Sequence, residues 1–387
     1  MSGTRGSARP DARKVAVDAL VRIDRDQAYA NLLLPKLLAR SGLGERDRAF
    51  ATQLVYGTVR HRRACDWFID RFAVGDLDPE VRAALRVGTY QLRFLSTPAH
   101  AAVSATVDTV PRRARGLVNA VLRRVSEADD AWPSDAVRLS YPDWIVERLT
   151  ADLGEDRAIG ALTSMNGAAS VVERDDGYVQ DPASQQVAEA VEAVAGERVL
   201  DLCAAPGGKA TALARTGATV VAADVRASRA GLVAANAAKL GQEVSVVVAD
   251  GTAPAFAAAS FDRVLVDAPC SGLGSLRRRP DARWRIDQAA PARLARLQGR
   301  LLDAAAGLVA PGGVLVYSVC TLTSVETVGV AEGFEASHPE WSSLAPLTGP
   351  WEPWGTGAIL LPQAQGSDGM VVFRWRRPAE PGGSSDG

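Results

Sequence analysis

The hydrophobic period of the chain changes near Glu197, and that change sets its architecture. Before it, apolar residues recur three and four positions apart, the spacing of one helix face. Val15, Ala19, Leu20 and Ile23 follow this spacing, as do Leu33, Leu34, Leu37 and Leu38, then Phe50, Leu54, Val55 and Val59. The pattern runs on through Trp67, Phe68, Phe72, Leu85 and Val107 to Leu122, broken by short turns at residues 41–44 and 75–79. Residues 13–128 therefore read as an all-α bundle. After Glu197, short apolar runs at 199–202, 219–223, 244–249, 263–266 and 314–317 alternate with helical stretches, notably 228–240 and 291–309. Such alternation predicts a parallel, doubly wound α/β sheet. A last β-like run at 370–375 is expected as an antiparallel edge strand.

Between the two regions, residues 132–166 read as a linker followed by one or two helices, and 171–180 as a small β element. Asp181 before Pro182 marks a helix start. The expected domains are a disordered tail at 1–10, a helical domain at 11–130, and a linker with a small α/β subdomain at 131–185. The α/β domain follows at 186–377, with a second disordered tail at 378–387.

The net charge of −1 hides an asymmetry. Residues 1–143 hold 23 Lys and Arg against 17 Asp and Glu, while the remainder holds 21 against 28. A basic first part points to a polyanion partner. Four scattered cysteines with no CxxC pair argue against a disulfide scaffold or zinc ribbon, and no metal site is expected. No apolar run approaches a bilayer span and residues 1–10 lack a signal core, so a cytoplasmic protein without a membrane partner is expected.

Residues 199–209 read Val-Leu-Asp-Leu-Cys-Ala-Ala-Pro-Gly-Gly-Lys. A buried strand ends, Pro206, Gly207 and Gly208 force a turn, and a helix follows. Glycine there allows a ligand to approach the backbone closely. Asp224, Asp250 and Asp267 close later strands, whose carboxyl ends line the ligand crevice of such a sheet. Asp224 suits ribose hydroxyls, lying about 15 to 20 residues beyond the turn, and Asp250 suits an adenine amino group. Any one of them could simply cap a helix; three in one crevice favour a ligand. The turn is not G-x-G-x-x-G, which argues against an oxidoreductase, and no Walker pair follows Lys209. An adenosine cofactor without an essential pyrophosphate contact fits, and S-adenosylmethionine is one. Cys270, between Pro269 and small residues, and Cys320, after the strand at 314–317, bring two thiols to the same crevice. Cys65 reads as an inert core residue.

Together these motifs resemble the Sun/Nop-type RNA cytosine-5 methyltransferases, within them the ribosomal RNA small subunit methyltransferase B group. Residues 201–209 are similar to that family's first cofactor motif, 267–272 to its fourth, and Cys320 stands at its sixth-motif cysteine. Residues 47–60 and 116–123 resemble its NusB-like RNA-binding domain. The resemblance implies a Rossmann-like methyltransferase domain with a mostly parallel sheet, S-adenosylmethionine as cofactor, and RNA, chiefly 16S ribosomal RNA, as partner of a monomer. It implies Cys320 as nucleophile on cytosine carbon 6, Cys270 in product release, and Asp267 holding the base. Spacing alone leaves Cys270 open as nucleophile, because DNA cytosine methyltransferases use a Pro-Cys thiol. The cofactor contacts implied are Cys203, Ala204, Ala205, Pro206, Gly207, Gly208, Lys209, Asp224, Asp250 and Asp267, with Arg229 as a further candidate. The chain departs from the family pattern around Val319–Thr321 and at Val325, Glu326 and Thr327. Arg277, Arg278, Arg279, Arg283 and Arg285 around Trp284 are expected to meet RNA phosphates and bases. A transfer RNA substrate and a non-catalytic RNA-binding module are the alternatives.

Overall fold

The computed structural model describes residues 11–379, so the expected tail at 1–10 and nearly all of that at 378–387 lie outside the described residues. The chain divides into two compact units, one of residues 11–146 plus Arg279–Arg285, the other of Glu147–Arg278 and 286–379.

The first unit is helical. Its larger helices are Ala12–Arg25, Ala30–Arg40, Glu45–Arg60, Pro79–Arg93 and Arg115–Glu127. Asp11 caps the first by accepting from the Arg13 amide, and Pro79 opens the fourth, where a missing N–H costs nothing. Their apolar faces meet in one core that includes Leu20, Leu54, Phe68, Leu85 and Leu122. Gly57 is needed there: a Cβ would fall 2.0 Å from the Tyr90 ring. The core also holds an ion cluster, in which buried Arg86 binds Asp66 through two hydrogen bonds of 2.7 Å and also pairs with Asp24.

The short piece Arg279–Arg285 packs into this unit, which corrects the reading of the arginine run. Arg283 is fully buried; its guanidinium lies 3.8 Å from the Tyr141 ring centroid and donates to the Arg60 and Ser140 carbonyls. Trp284 donates its indole N–H to Val59, and Arg285 binds the Gln27 and Ala28 carbonyls. In the second unit, Arg277 is buried on the Ser367 and Ala168 carbonyls, and Arg278 bridges Asp181 and Asp368. Of the five arginines only Arg279 is exposed. The others satisfy backbone carbonyls and carboxylates that would otherwise be left without donors.

The second unit is built on a nine-stranded sheet. Its strands are β1 Arg198–Asp201, β2 Thr219–Asp224, β3 Val244–Val248, β4 Phe261–Asp267, β5 Val309–Val319, β6 Ser342–Ser343, β7 Glu352–Trp354, β8 Gly357–Leu360 and β9 Met370–Arg376. Their order is β3-β2-β1-β4-β5-β9-β8-β7, with β6 on β9; β3 through β5 run parallel and the rest antiparallel. The strand at 370–375 is thus antiparallel but not an edge: β9 lies between β5 and β8, and five of its seven residues are buried. The β7–β8 hairpin that covers it was too short, and too interrupted by Pro353 and Gly355, to read as strands. Strand order reverses between β1 and β4, so a crevice opens at their carboxyl ends, where Asp201 and Asp267 stand. Asp181 caps the helix Pro182–Glu189 as its sequence position implies.

Candidate active site

The turn after β1 is held by its own backbone. The Ala204 amide donates to Ala223, and the Gly207 amide to Ala204 at 2.7 Å. Gly207 has φ of +105°, and a Cβ on it would sit 3.1 Å from Val233 Cα. Both facts require glycine. A Cβ on Gly208 would fall 2.8 Å from the Tyr178 ring, so this second glycine answers to packing.

Lys209, at the start of the helix Gly208–Ala214, reaches into the crevice, where its ammonium donates to Asp267 Oδ2 at 2.6 Å. Ser318, register partner of Asp267 across β4 and β5, donates to the other oxygen at 2.7 Å. One strand end and two neighbouring elements therefore fix the Asp267 carboxylate. Burial would push the lysine down, but Asp267 and Asp201 together hold it above its ordinary value.

Asp201 carries a different signal. It is 1% exposed, and neither carboxylate oxygen makes a hydrogen bond of normal geometry. Burial, with the charge of Asp267, pushes its pKa up to about 7; the Lys209 charge and the Cys203 amide offset this in part. Such a carboxylate asks for a donor or a cation. Asp224 is buried as well, accepting from the Arg226 amide and from Arg229 Nε at 3.1 Å. Arg229 also donates to the Ala205 carbonyl, tying β2 to the glycine turn. Asp250 lies exposed two residues beyond β3, accepting from the Thr252 amide and hydroxyl, which hold it below its ordinary value. The Cys203 thiol is pushed up by burial and the surrounding carboxylates, an unreactive group. Acceptors thus dominate the crevice. Of the groups S-adenosylmethionine presents, the sulfonium, the ammonium and the ribose hydroxyls are cations or donors, and the residue set fits these.

The two cysteines meet. Cys270 Sγ and Cys320 Sγ lie 3.4 Å apart, on the loops after β4 and β5. The Gly274 amide donates to the Cys320 carbonyl at 2.9 Å; a Cβ there would collide with the Gly369 carbonyl at 2.4 Å. Only glycine permits this approach. The thiols are not equivalent. A hydrogen bond from Cys270 lowers Cys320 below its ordinary value, helped by the Ser275 hydroxyl at 3.6 Å and by Lys209, while burial and Asp267 oppose. Cys270 is raised well above its ordinary value by that same bond, by burial and by Glu326. Cys320 is therefore the more readily ionised thiol, with Cys270 as its hydrogen-bond donor.

Asp201, Ser318, Ser275 and Glu326 were not among the expected site residues. Asp201 stands inside the motif and could have been found as a strand-end carboxylate. The hydroxyls carry no local signal, because their partners come from distant segments; Glu326 has local partners in Thr321 and Thr323, but Ser271 and Gln298 reach it from elsewhere. Among the described residues no cluster of His, Cys, Asp or Glu is arranged to hold a metal ion, and no helix is long and apolar enough to cross a membrane.

Residues 188–375 match the 16S rRNA methyltransferase RsmB/F family, and residues 10–127 the NusB family. The chain is 38% identical over 399 residues to ribosomal RNA small subunit methyltransferase B of Thermus thermophilus, covering 94% of this chain and 97% of that one. The protein of that name from Sodalis glossinidius is 31% identical over 425 residues, covering 94% and 96%. Among solved structures, PH0851 superposes with a TM-score of 0.76 at 23% identity, over 97% of this chain and all of that one. A methyltransferase homologue from Pyrococcus horikoshii gives 0.52 at 21%, over 65% of this chain and 100% of that one. These two likenesses speak for the fold alone.

Proposed function

The chain belongs to the 16S rRNA methyltransferase RsmB/F family, and on that premise we propose that it methylates carbon 5 of a cytosine in small-subunit ribosomal RNA through a covalent bond to Cys320. It is an S-adenosylmethionine-dependent RNA methyltransferase with a NusB-family helical region. The observation that carries the finer reading is the thiol pair, 3.4 Å apart beside Asp267, with Cys320 the more acidic member.

Cofactor contacts are assigned to the turn 203–209 and to Asp224, Asp250 and Asp267, with Asp201 added as the buried carboxylate whose own oxygens lack donors. The bound cofactor supplies an electrophilic methyl group. Cytosine carbon 5 is too weak a nucleophile to take it unaided. Attack of the Cys320 thiolate on carbon 6 turns carbon 5 into an enamine carbon, which is nucleophilic enough. Asp267, fixed by Lys209 and Ser318, accepts from the cytosine amino group and holds the ring in line with the thiolate. Lys209, raised above its ordinary value beside Asp267 and Asp201, keeps its hydrogen bond to this half-buried carboxylate.

Bonding of Cys320 to carbon 6 removes its negative charge. The main cause that holds the Cys270 proton is then gone. Cys270, having passed its proton to water, takes the proton from carbon 5. The electron pair of that C–H bond restores the ring double bond, and the carbon–sulfur bond breaks to return the Cys320 thiolate. The target base must leave any stack to reach these thiols.

Transfer of tritium from methyl-labelled S-adenosylmethionine to naked 16S ribosomal RNA tests the proposal. Wild type labels it at a cytosine and Cys320→Ala does not. Activity retained by Cys320→Ala refutes the nucleophile, and label on transfer RNA alone refutes the substrate.

A further inference from the structure

We infer that Glu326 is a positioning residue that locks the two cysteine loops together and thereby sets the distance between Cys270 and Cys320. Glu326 sits in the short turn Ser324–Glu326 after β5 and is fully buried. Its carboxylate gathers donors from three separate segments. Oε1 accepts from the Ser271 amide at 2.8 Å and from Gln298 Nε2 at 3.2 Å. Oε2 accepts from the hydroxyls of Ser271, Thr321 at 3.2 Å and Thr323 at 3.0 Å. Ser271 and Thr321 directly follow the two cysteines, and their hydroxyl oxygens lie 2.9 Å apart. Gln298 extends the link by donating to the Pro269 carbonyl, directly before Cys270, at 2.9 Å. Tyr317 fixes the turn itself, donating to the Glu326 carbonyl at 2.7 Å.

A buried carboxylate is costly unless hydrogen-bonded, and the same volume filled by apolar groups would serve stability as well. What an apolar side chain could not do is hold both loops by the residue next to each thiol. The bond that makes Cys320 acidic needs Cys270 in place, so an error of about 1 Å at either loop would weaken it steeply. Glu326 touches neither sulfur. It acts through Ser271 and Thr321.

This role rests on the assignment of Cys320 and Cys270 as working thiols, but it can be read on the resting protein. The measurement is the pH dependence of iodoacetamide modification at Cys320, followed by peptide mass mapping, alongside cofactor affinity and thermal stability. The charged groups around Cys320 that enter its profile are Cys270, Asp267 and Lys209, and none is altered; the Glu326 charge itself raises Cys270, and its loss alone would lower the thiols, opposite in sign to the shift expected here. Glu326→Ala should raise the Cys320 midpoint by about one pH unit and slow methyl transfer about tenfold, the worth of one charge-assisted hydrogen bond. Cofactor affinity should hold. Glu326→Gln keeps an oxygen for the Ser271 amide and should recover part of the loss. A purely structural role would lower stability and leave the midpoint unmoved, and that result overturns the inference. Should Glu326→Ala fail to fold, the double variant Ser271→Ala, Thr321→Val decides in the same way: a raised midpoint supports the link, an unchanged one refutes it. Cys320→Ala, assayed in parallel for methyl transfer, reports separately on the nucleophile.

Discussion

Replacing Asp201 with asparagine should remove a pH-dependent weakness from the protein. The carboxyl is buried, lacks a well-formed hydrogen bond and has its pKa pushed up to about 7. In the unfolded chain it would titrate near 3.9. Between these values the folded state binds more protons than the unfolded one, so stability falls as pH rises through the window. A shift of about three units corresponds to roughly 4 kcal/mol when complete, of which about 2–3 kcal/mol is lost between pH 5 and pH 8. The Asp201→Asn side chain does not titrate; it leaves a neutral amide whose burial costs about 1–3 kcal/mol at every pH. The ligand-free variant should therefore melt no higher than wild type at pH 5 and hold its midpoint better toward pH 8. For a domain of this size the divergence should be roughly 5–10 °C. Calorimetric melting from pH 5 to 8 measures it. Parallel curves for the two proteins would mean that Asp201 does not titrate in this range. Where positive charge on the cofactor meets this carboxylate, the variant should bind S-adenosylmethionine more weakly, and wild-type binding should release protons near pH 7.

Further consequences concern packing and the thiols. Gly274→Ala places a Cβ 2.4 Å from the Gly369 carbonyl, so methyl transfer should drop about tenfold or more while the helical unit is unaffected in its circular dichroism. Arg283→Met removes a buried guanidinium from two carbonyls and should destabilise the helical unit by about 3 kcal/mol in denaturant titration. If that arginine instead neutralised a phosphate, the salt dependence of RNA binding would lose about one unit of slope; an unchanged slope is expected. Cys270→Ala withdraws the principal donor to Cys320 and should raise the midpoint of its alkylation by about one pH unit. A midpoint that stays or falls would contradict the donor role.

Much of this was legible in the sequence because it is written in local patterns. The change of period at Glu197 separates helices from an alternating α/β sheet, and the apolar runs near 199, 219, 244, 263 and 314 each coincide with a strand to within a residue or lie inside one. The glycine turn and the two cysteines stand on loops at strand ends, where motif spacing alone places them. What stayed hidden depends on contacts between distant segments. Nothing around Arg283 or Arg285 distinguishes a cation facing solvent from one whose donors meet buried carbonyls, so four of the five arginines were misread. The short β7–β8 hairpin carries too few residues to show alternation, and β9 therefore looked like an edge. Glu326 finds its partners at 271, 298, 321 and 323, a set no single window contains. Asp201 is legible inside the motif as a strand-end carboxylate, but that its oxygens go without hydrogen bonds shows only in the fold.

If Cys320 bonds to cytosine and Cys270 serves its release, loss of the Cys270 thiol should trap the bonded state. Incubating Cys270→Ala with 16S ribosomal RNA and S-adenosylmethionine, then digesting and mapping the cross-linked peptide by mass spectrometry, tests it most directly. A stable adduct joining Cys320 to a methylated cytosine is predicted. The absence of any adduct, together with undiminished turnover by Cys320→Ala, would contradict it.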